Sequence, residues 1–104
     1  MKVIIKNFDC SHNSLHSLEG CPTEISENFS CGHNRLTSFK GGPTKVGENY
    51  FASSNSIESL EGLAAHIGNT LWIGSQYNIE EFRKIRFTKE EIHAVCGVGK
   101  ISMY

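Results

Sequence analysis

A repeat solenoid is the fold class this sequence predicts, with a short parallel β-sheet along one face, extended and turning returns along the other, and an α-helical cap at the C-terminal end. Three observations predict it. Matching residues recur every 21 positions from Phe8 onward. Within a unit the apolar positions suit a short strand, and a 21-residue unit is too short for a proper helix with both its turns. After Phe82 the spacing changes to that of a helix. The expected organisation is one domain, in which 1–82 holds about three full repeats with partial ones and 83–104 forms the helical cap and tail.

The units run FDCSHNSLHSLEGCPTEISEN, FSCGHNRLTSFKGGPTKVGEN and YFASSNSIESLEGLAAHIGNT, and a fourth begins LWIGSQYNIEEF before departing from the pattern. Their columns align Phe8 with Phe29, Tyr50 and Leu71, and Cys10 with Cys31, Ala52 and Ile73. Asn13, Asn34 and Asn55 form another column, which Gln76 continues. Leu15, Leu36 and Ile57 follow, then Leu18, Phe39 and Leu60, with one extra residue displacing the pair to Ile79 and Phe82 in the fourth unit. Gly20, Gly41 and Gly62 mark a corner, followed by Pro22 and Pro43 in the first two units. The opening KVIIKN fits the tail of a preceding unit, with Ile4 in line with Ile25, Val46 and Ile67.

Each unit is expected to supply a strand (about 28–32 in the second), stacked in parallel at roughly 4.8 Å. The asparagine column should turn the chain and hydrogen-bond the backbone of neighbouring units. No unit can bury its apolar edge alone, so stability comes from neighbours and the open ends need covers. In FTKEEIHAVCG, Thr88 with Glu91 forms a capping-box signature, Ile92, Val95 and Cys96 share one helical face, and Gly97 is a natural stop. IEEFRKI is compatible with a shorter helical turn before it. The last segment, VGKISMY, reads either as part of an end-plate or as a sticky tail that meets a partner or a second copy.

The spacing Phe29-x-Cys31-x-x-Asn34-x-Leu36-x-x-Phe39 is similar to the leucine-rich-repeat pattern L-x-L-x-x-N-x-L-x-x-L, whose period is about 20–29 residues. The resemblance covers roughly residues 2–82. CSHNSLHSLEGCP and CGHNRLTSFKGGP resemble the C-S-x-N-x-L-T-S-L-E-G-x-P form of short repeats in bacteriophage proteins and, more loosely, in bacterial effectors. The resemblance implies a small early phage protein that binds, and by binding inhibits, a bacterial host or defence factor in the host cytoplasm.

Composition excludes several classes. The chain has 104 residues, with 10 Lys and Arg against 11 Asp and Glu, for a formal charge of −1. That balance does not favour an electrostatic grip on nucleic acid or acidic membrane. No apolar run approaches the roughly 18 residues of a spanning helix, and the start does not read as a secretory signal. The four cysteines lack an export signal, so reduced thiols are expected.

The Cys-x-His pairs Cys10/His12 and Cys31/His33 raise the question of a metal. Cysteine stands where the repeat calls for a small inward residue, and the third unit has Ala52 and Ser54 at the two positions. The repeat therefore explains the spacing, and no metal or cofactor is expected. Cys10, His12, Cys31 and His33 would be the ligands of a zinc site were there one. Cys10 and Cys31 are also expected to lie close enough to oxidise. His12 and His33 share a column, where solvated histidines, an acidic-group site and a pH response all remain open.

Alternation along the strands exposes four columns. They are Asn7, Asn28, Asn49, Thr70; then Asp9, Ser30, Phe51, Trp72; then Ser11, Gly32, Ser53, Gly74; then His12, His33, Ser54, Ser75. Phe51 and Trp72 should stand side by side on the open face, unless the C-terminal segment folds over them or the register slips by one. The expected partner-binding set is Phe51, Trp72, Asp9, Ser30, His12, His33, Asn28 and Asn49. Adjacent exposed aromatics in a polar rim suit a protein partner. Neither a phosphate loop nor H-E-x-x-H nor G-x-S-x-G is present, so no catalytic residue is assigned and no enzyme expected. The expected function is a protein-interaction module; the alternative is a self-associating structural piece, such as a homodimer, joined by its open edges or tail.

Overall fold

The computed structural model describes residues 5–78 and 80–103. The sequence columns set up its strands, which in chain order are β1 (Phe8–Asp9), β2 (Glu24–Ile25), β3 (Phe29–Ser30), β4 (Lys45–Val46), β5 (Tyr50–Phe51), β6 (His66–Trp72), β7 (Gln76–Asn78), β8 (Arg83–Ile85), the helix α1 (Lys89–His93) and β9 (Gly97–Ser102). Phe8 pairs with Phe29, Phe29 with Tyr50, and Tyr50 with Leu71, all in parallel. The returns pair as well, Ile25 with Val46 and Val46 with Ile67.

The expected class is corrected by this pairing. The chain adopts an α/β arrangement with one short helix and a seven-stranded parallel sheet ordered β1-β3-β5-β6-β4-β2, to which β9 adds beside β6. The Cα radius of gyration, 12.6 Å, is that of a compact domain of this length. The physical reason lies in β6. In the first two units the return and the next opening strand are separate, but in β6 they form one seven-residue strand that joins both sets of pairs. The returns are thus part of the same sheet, not a separate extended layer. A register shift between Ile67 and Thr70 accommodates β9, which pairs with both halves.

The helical cap is corrected too. Thr88 accepts from the Glu91 amide and Glu91 accepts from the Thr88 amide, but the helix spans only five residues. Ile92 and Cys96 are buried while Val95 is 50 % exposed, so the expected three-residue face holds only two. The helix ends at His93 with Ala94 as its C-cap, and Gly97, expected as the helix stop, opens a strand. The shorter helical turn expected in IEEFRKI is replaced by the antiparallel pair β7–β8. Phe82, expected in the core, stands at the turn of that pair and is 79 % exposed. Ile4 and Ile79, which were given core columns, lie outside the described residues.

Leu18, Leu36, Phe39, Ile57 and Ile67 fill the core with Phe29, Tyr50 and Leu71. The glycine column makes the corners. Gly62 has φ +84°, a conformation costly to any residue with a Cβ, inside a turn closed by the Leu63 amide on the Leu60 carbonyl at 3.1 Å. The asparagine column runs through the interior. The Asn55 amide nitrogen donates to the carbonyls of Cys31 and Ala52 at 3.0 and 3.1 Å, and its oxygen accepts from the Leu36 amide. Gln76 continues the row with Ala52, Ile73 and Ile57.

One buried side-chain polar atom has no partner among the described residues, the Tyr50 hydroxyl, whose ring packs edge-to-face with that of Phe39. Removing an unsatisfied hydroxyl spares its desolvation penalty. Tyr50→Phe is therefore expected to hold or raise stability by about 1 kcal/mol, read as the urea midpoint. A loss of that size would show that the hydroxyl is bonded in solution.

Candidate functional site

The sheet face begins with what the strands present outward. Phe51 and Trp72 occupy paired positions of β5 and β6, because Tyr50 and Leu71 before them and Ala52 and Ile73 after them point inward. Their rings stack with centroids 5.9 Å apart and planes 18° apart. Phe51 is 36 % and Trp72 37 % exposed, so neither belongs to the core and the C-terminal strand leaves both open.

The rest of the column is polar. Ser30 pairs with Phe51 and is half-buried, and Asp9 pairs with Ser30 at the far end of the sheet. The hydroxyl of Ser11, then its backbone amide at 2.9 Å, holds the exposed Asp9 carboxyl below its ordinary value. Asp9 thus stays ionised and already carries donors.

Asn28 and Asn49 are half-buried, and much of their hydrogen-bonding capacity is used. The Asn28 side-chain oxygen accepts both the backbone and the side-chain N–H of Asn49, at 3.2 and 3.0 Å. The Asn7 oxygen does the same for Asn28. In that column Thr70 is buried rather than exposed, and Gly32 and Gly74 are buried in the next.

His12 and His33 are exposed and stack with centroids 4.3 Å apart. Both have positive φ, as do Ser54 and Ser75 in the same column. The chain turns there just before each member of the amide column, Asn13, Asn34, Asn55 and Gln76. Among the described residues no three His, Cys, Asp or Glu side chains converge as a metal centre requires.

The thiols sit on the inner side. Cys10, Cys21, Cys31 and Cys96 are all free. Cys10 donates to the Ser30 carbonyl at 3.3 Å, and Cys21 as well as Cys31 lies within electrostatic reach of it. Burial, then the neighbouring Cys21, pushes the Cys10 thiol up to about 11. Burial drives Cys31 well above its ordinary range. These are poor nucleophiles at neutral pH. Iodoacetamide is expected to modify Cys10 of the folded protein slowly at pH 8 and faster as the pH approaches 11. A rate at pH 8 equal to that of a free cysteine would contradict this. The sign for stability follows from the folded thiol's holding its proton longer than the unfolded one. That contribution is complete below about pH 9 and lost as the pH rises through about 11.

Two features were missed in the sequence, the β9 strand and the clefts around Met103. One cleft, of roughly 600 Å³, is lined by Trp72, Lys89, Lys100 and Met103; the other, of roughly 570 Å³, by Tyr77, Lys84, Arg86 and Met103. The only signal in the sequence was the alternation of Lys100, Ile101 and Ser102, too short to separate a strand from a loop.

No family model, no curated protein and no solved structure matches this chain. No helix among the described residues is long and apolar enough to cross a membrane.

Proposed function

We propose that the chain is a protein–protein interaction module that binds its partner through the exposed sheet face. The observation that carries this reading is the stacked, half-open Phe51–Trp72 pair, held by paired strands and bordered by serine and asparagine. Rigid aromatics of this kind cost little entropy to bury, and they dominate the affinity of many interfaces. The resemblance of the repeats to phage proteins supports a bacterial host or defence factor as the partner, with inhibition as the consequence and the host cytoplasm as the place. The reading assigns no catalysis and no cofactor.

The test is capture from bacterial lysate by the wild-type protein and by Phe51→Ala/Trp72→Ala, both matched by circular dichroism. Each truncation is expected to cost about 2 kcal/mol, roughly 30-fold in affinity, so one protein should be held by the first and lost by the second. Equal capture by both would remove the face from consideration, and unfolding of the variant would make the rings structural.

A second reading, self-association, is favoured by the open edges of the sheet, since among the described residues β1 pairs only with β3 and β9 only with β6. Light scattering decides it. A persistent dimer supports self-association, and a monomer supports a different partner.

A further inference from the structure

The β9 edge carries an inference that extends the proposed interaction role and rests on it. The Ile73 amide donates to the Ser102 carbonyl at 2.9 Å, which turns Ser102 toward β6. Successive residues of a strand direct their peptide groups to opposite sides, so the N–H and carbonyl of Ile101 face away from β6. Among the described residues no strand pairs with that side. An open row of donors and acceptors is a template for an added strand.

Charge indicates what kind of strand. The cleft beside this edge is walled by Trp72 and Met103 and carries Lys89 and Lys100. The adjoining cleft carries Lys84 and Arg86. Neither lining contains a carboxylate. Among the described residues none of these four cations is ion-paired, whereas Lys40 and Arg83 are, to Glu61 and to Glu58. On a chain of formal charge −1, this is a local concentration of positive charge around an open backbone edge.

We propose that the β9 edge accepts an extended acidic segment of a partner protein as an additional strand, with its carboxylates on Lys89 and Lys100 and its neighbouring side chains against Trp72 and Met103. Backbone pairing supplies affinity, and the lysines select the acidic sequence. A peptide fits better than a single-stranded nucleic acid, which has no use for the strand edge.

The test is an amide-resolved NMR titration with a capped hexapeptide of alternating glutamate and valine. The amides of Ile101 and Met103 should shift. Lys89→Glu/Lys100→Glu should weaken binding about tenfold or more, and the hexapeptide N-methylated at alternate residues should not bind. Shifts elsewhere, no binding, or equal binding of the N-methylated form would overturn the proposal. Tighter binding of a thymidine octamer through the same lysines would also overturn it, in favour of nucleic acid. So would self-association of the protein abolished by the same substitutions, in favour of a second copy. The N-methylated control requires no change to the protein, so poor folding of the double variant leaves the test intact.

Phe51 stacks on Trp72 but does not line the cleft, so lysate capture by Phe51→Ala reads the sheet face, and the hexapeptide titration of the wild-type protein reads the edge. Hexapeptide binding without Phe51-dependent capture would defeat only the proposed function. Capture that depends on Phe51, with no hexapeptide binding, would defeat only the edge.

Discussion

Asn55→Ala is expected to lower folding stability by about 3–5 kcal/mol, since each buried polar group left unpaired costs about 1–3 kcal/mol. The side chain is 4 % exposed and serves three backbone groups, the carbonyls of Cys31 and Ala52 and the amide of Leu36. Alanine abandons all three in a place water cannot reach. Domains of this size are stable by only about 5–15 kcal/mol, so the loss is a large share of the total. Asn13→Ala is the internal comparison. Asn13 is exposed, and its side chain bonds only the nearby carbonyls of Cys10 and Ser11, which water can replace. Its loss should be under about 1 kcal/mol. Urea unfolding of both variants reads the difference, and equal midpoints would mean that the interior row of amides contributes no more than its surface member.

Gly68→Ala is expected to be as damaging, for a different reason. A Cβ on Gly68 would lie 1.9 Å from the Gly47 carbonyl oxygen. The obstruction is backbone in the paired strand region, so relief requires moving β6 relative to its neighbour. The expected cost is about 3 kcal/mol or more, as for other severe overpacking. Gly20 has positive φ but no atom within 4 Å of an added Cβ. Gly20→Ala should therefore cost only the left-handed backbone penalty of about 1–2 kcal/mol. Thermal unfolding ranks the two. If Gly20→Ala proves the worse, the close approach of backbone at Gly68 is relaxed in solution.

The spacing of the columns made part of this molecule legible. Reading Phe8, Phe29, Tyr50 and Leu71 as one column tells which residues meet, because large apolar side chains at a fixed spacing need similar surroundings. The same reading places Phe51 and Trp72 together, since strand alternation turns the neighbours of Tyr50 and Leu71 outward. It does not tell how many sheets result. Glu24–Ile25 and Lys45–Val46 are two-residue segments, too short for any periodic signal, and their pairing is decided by partners 21 residues away. The columns therefore predict a separate return layer where the pairing makes one sheet. Gly97 predicts a helix stop because glycine ends helices locally, yet the same residue pairs with His66 in β9. The column places Phe82 in the core, but the β7–β8 turn carries it outward. The Lys89 and Lys100 cleft could not be found from sequence, because it exists only once β9 lies against Trp72.

The spacing of the pairs also has a consequence for how the chain is made. Residues joined across β1, β3, β5 and the second half of β6 lie 21 apart. At the usual 5–20 residues per second of synthesis, each new strand leaves the ribosome about one to four seconds after the one it joins. Each early strand waits 21 residues for its next neighbour. Leu71 and Trp72 wait longer, because β9 comes 30 residues later. During that interval the growing sheet ends in an unprotected row of peptide groups, and two nascent chains on neighbouring ribosomes are then most able to stick together.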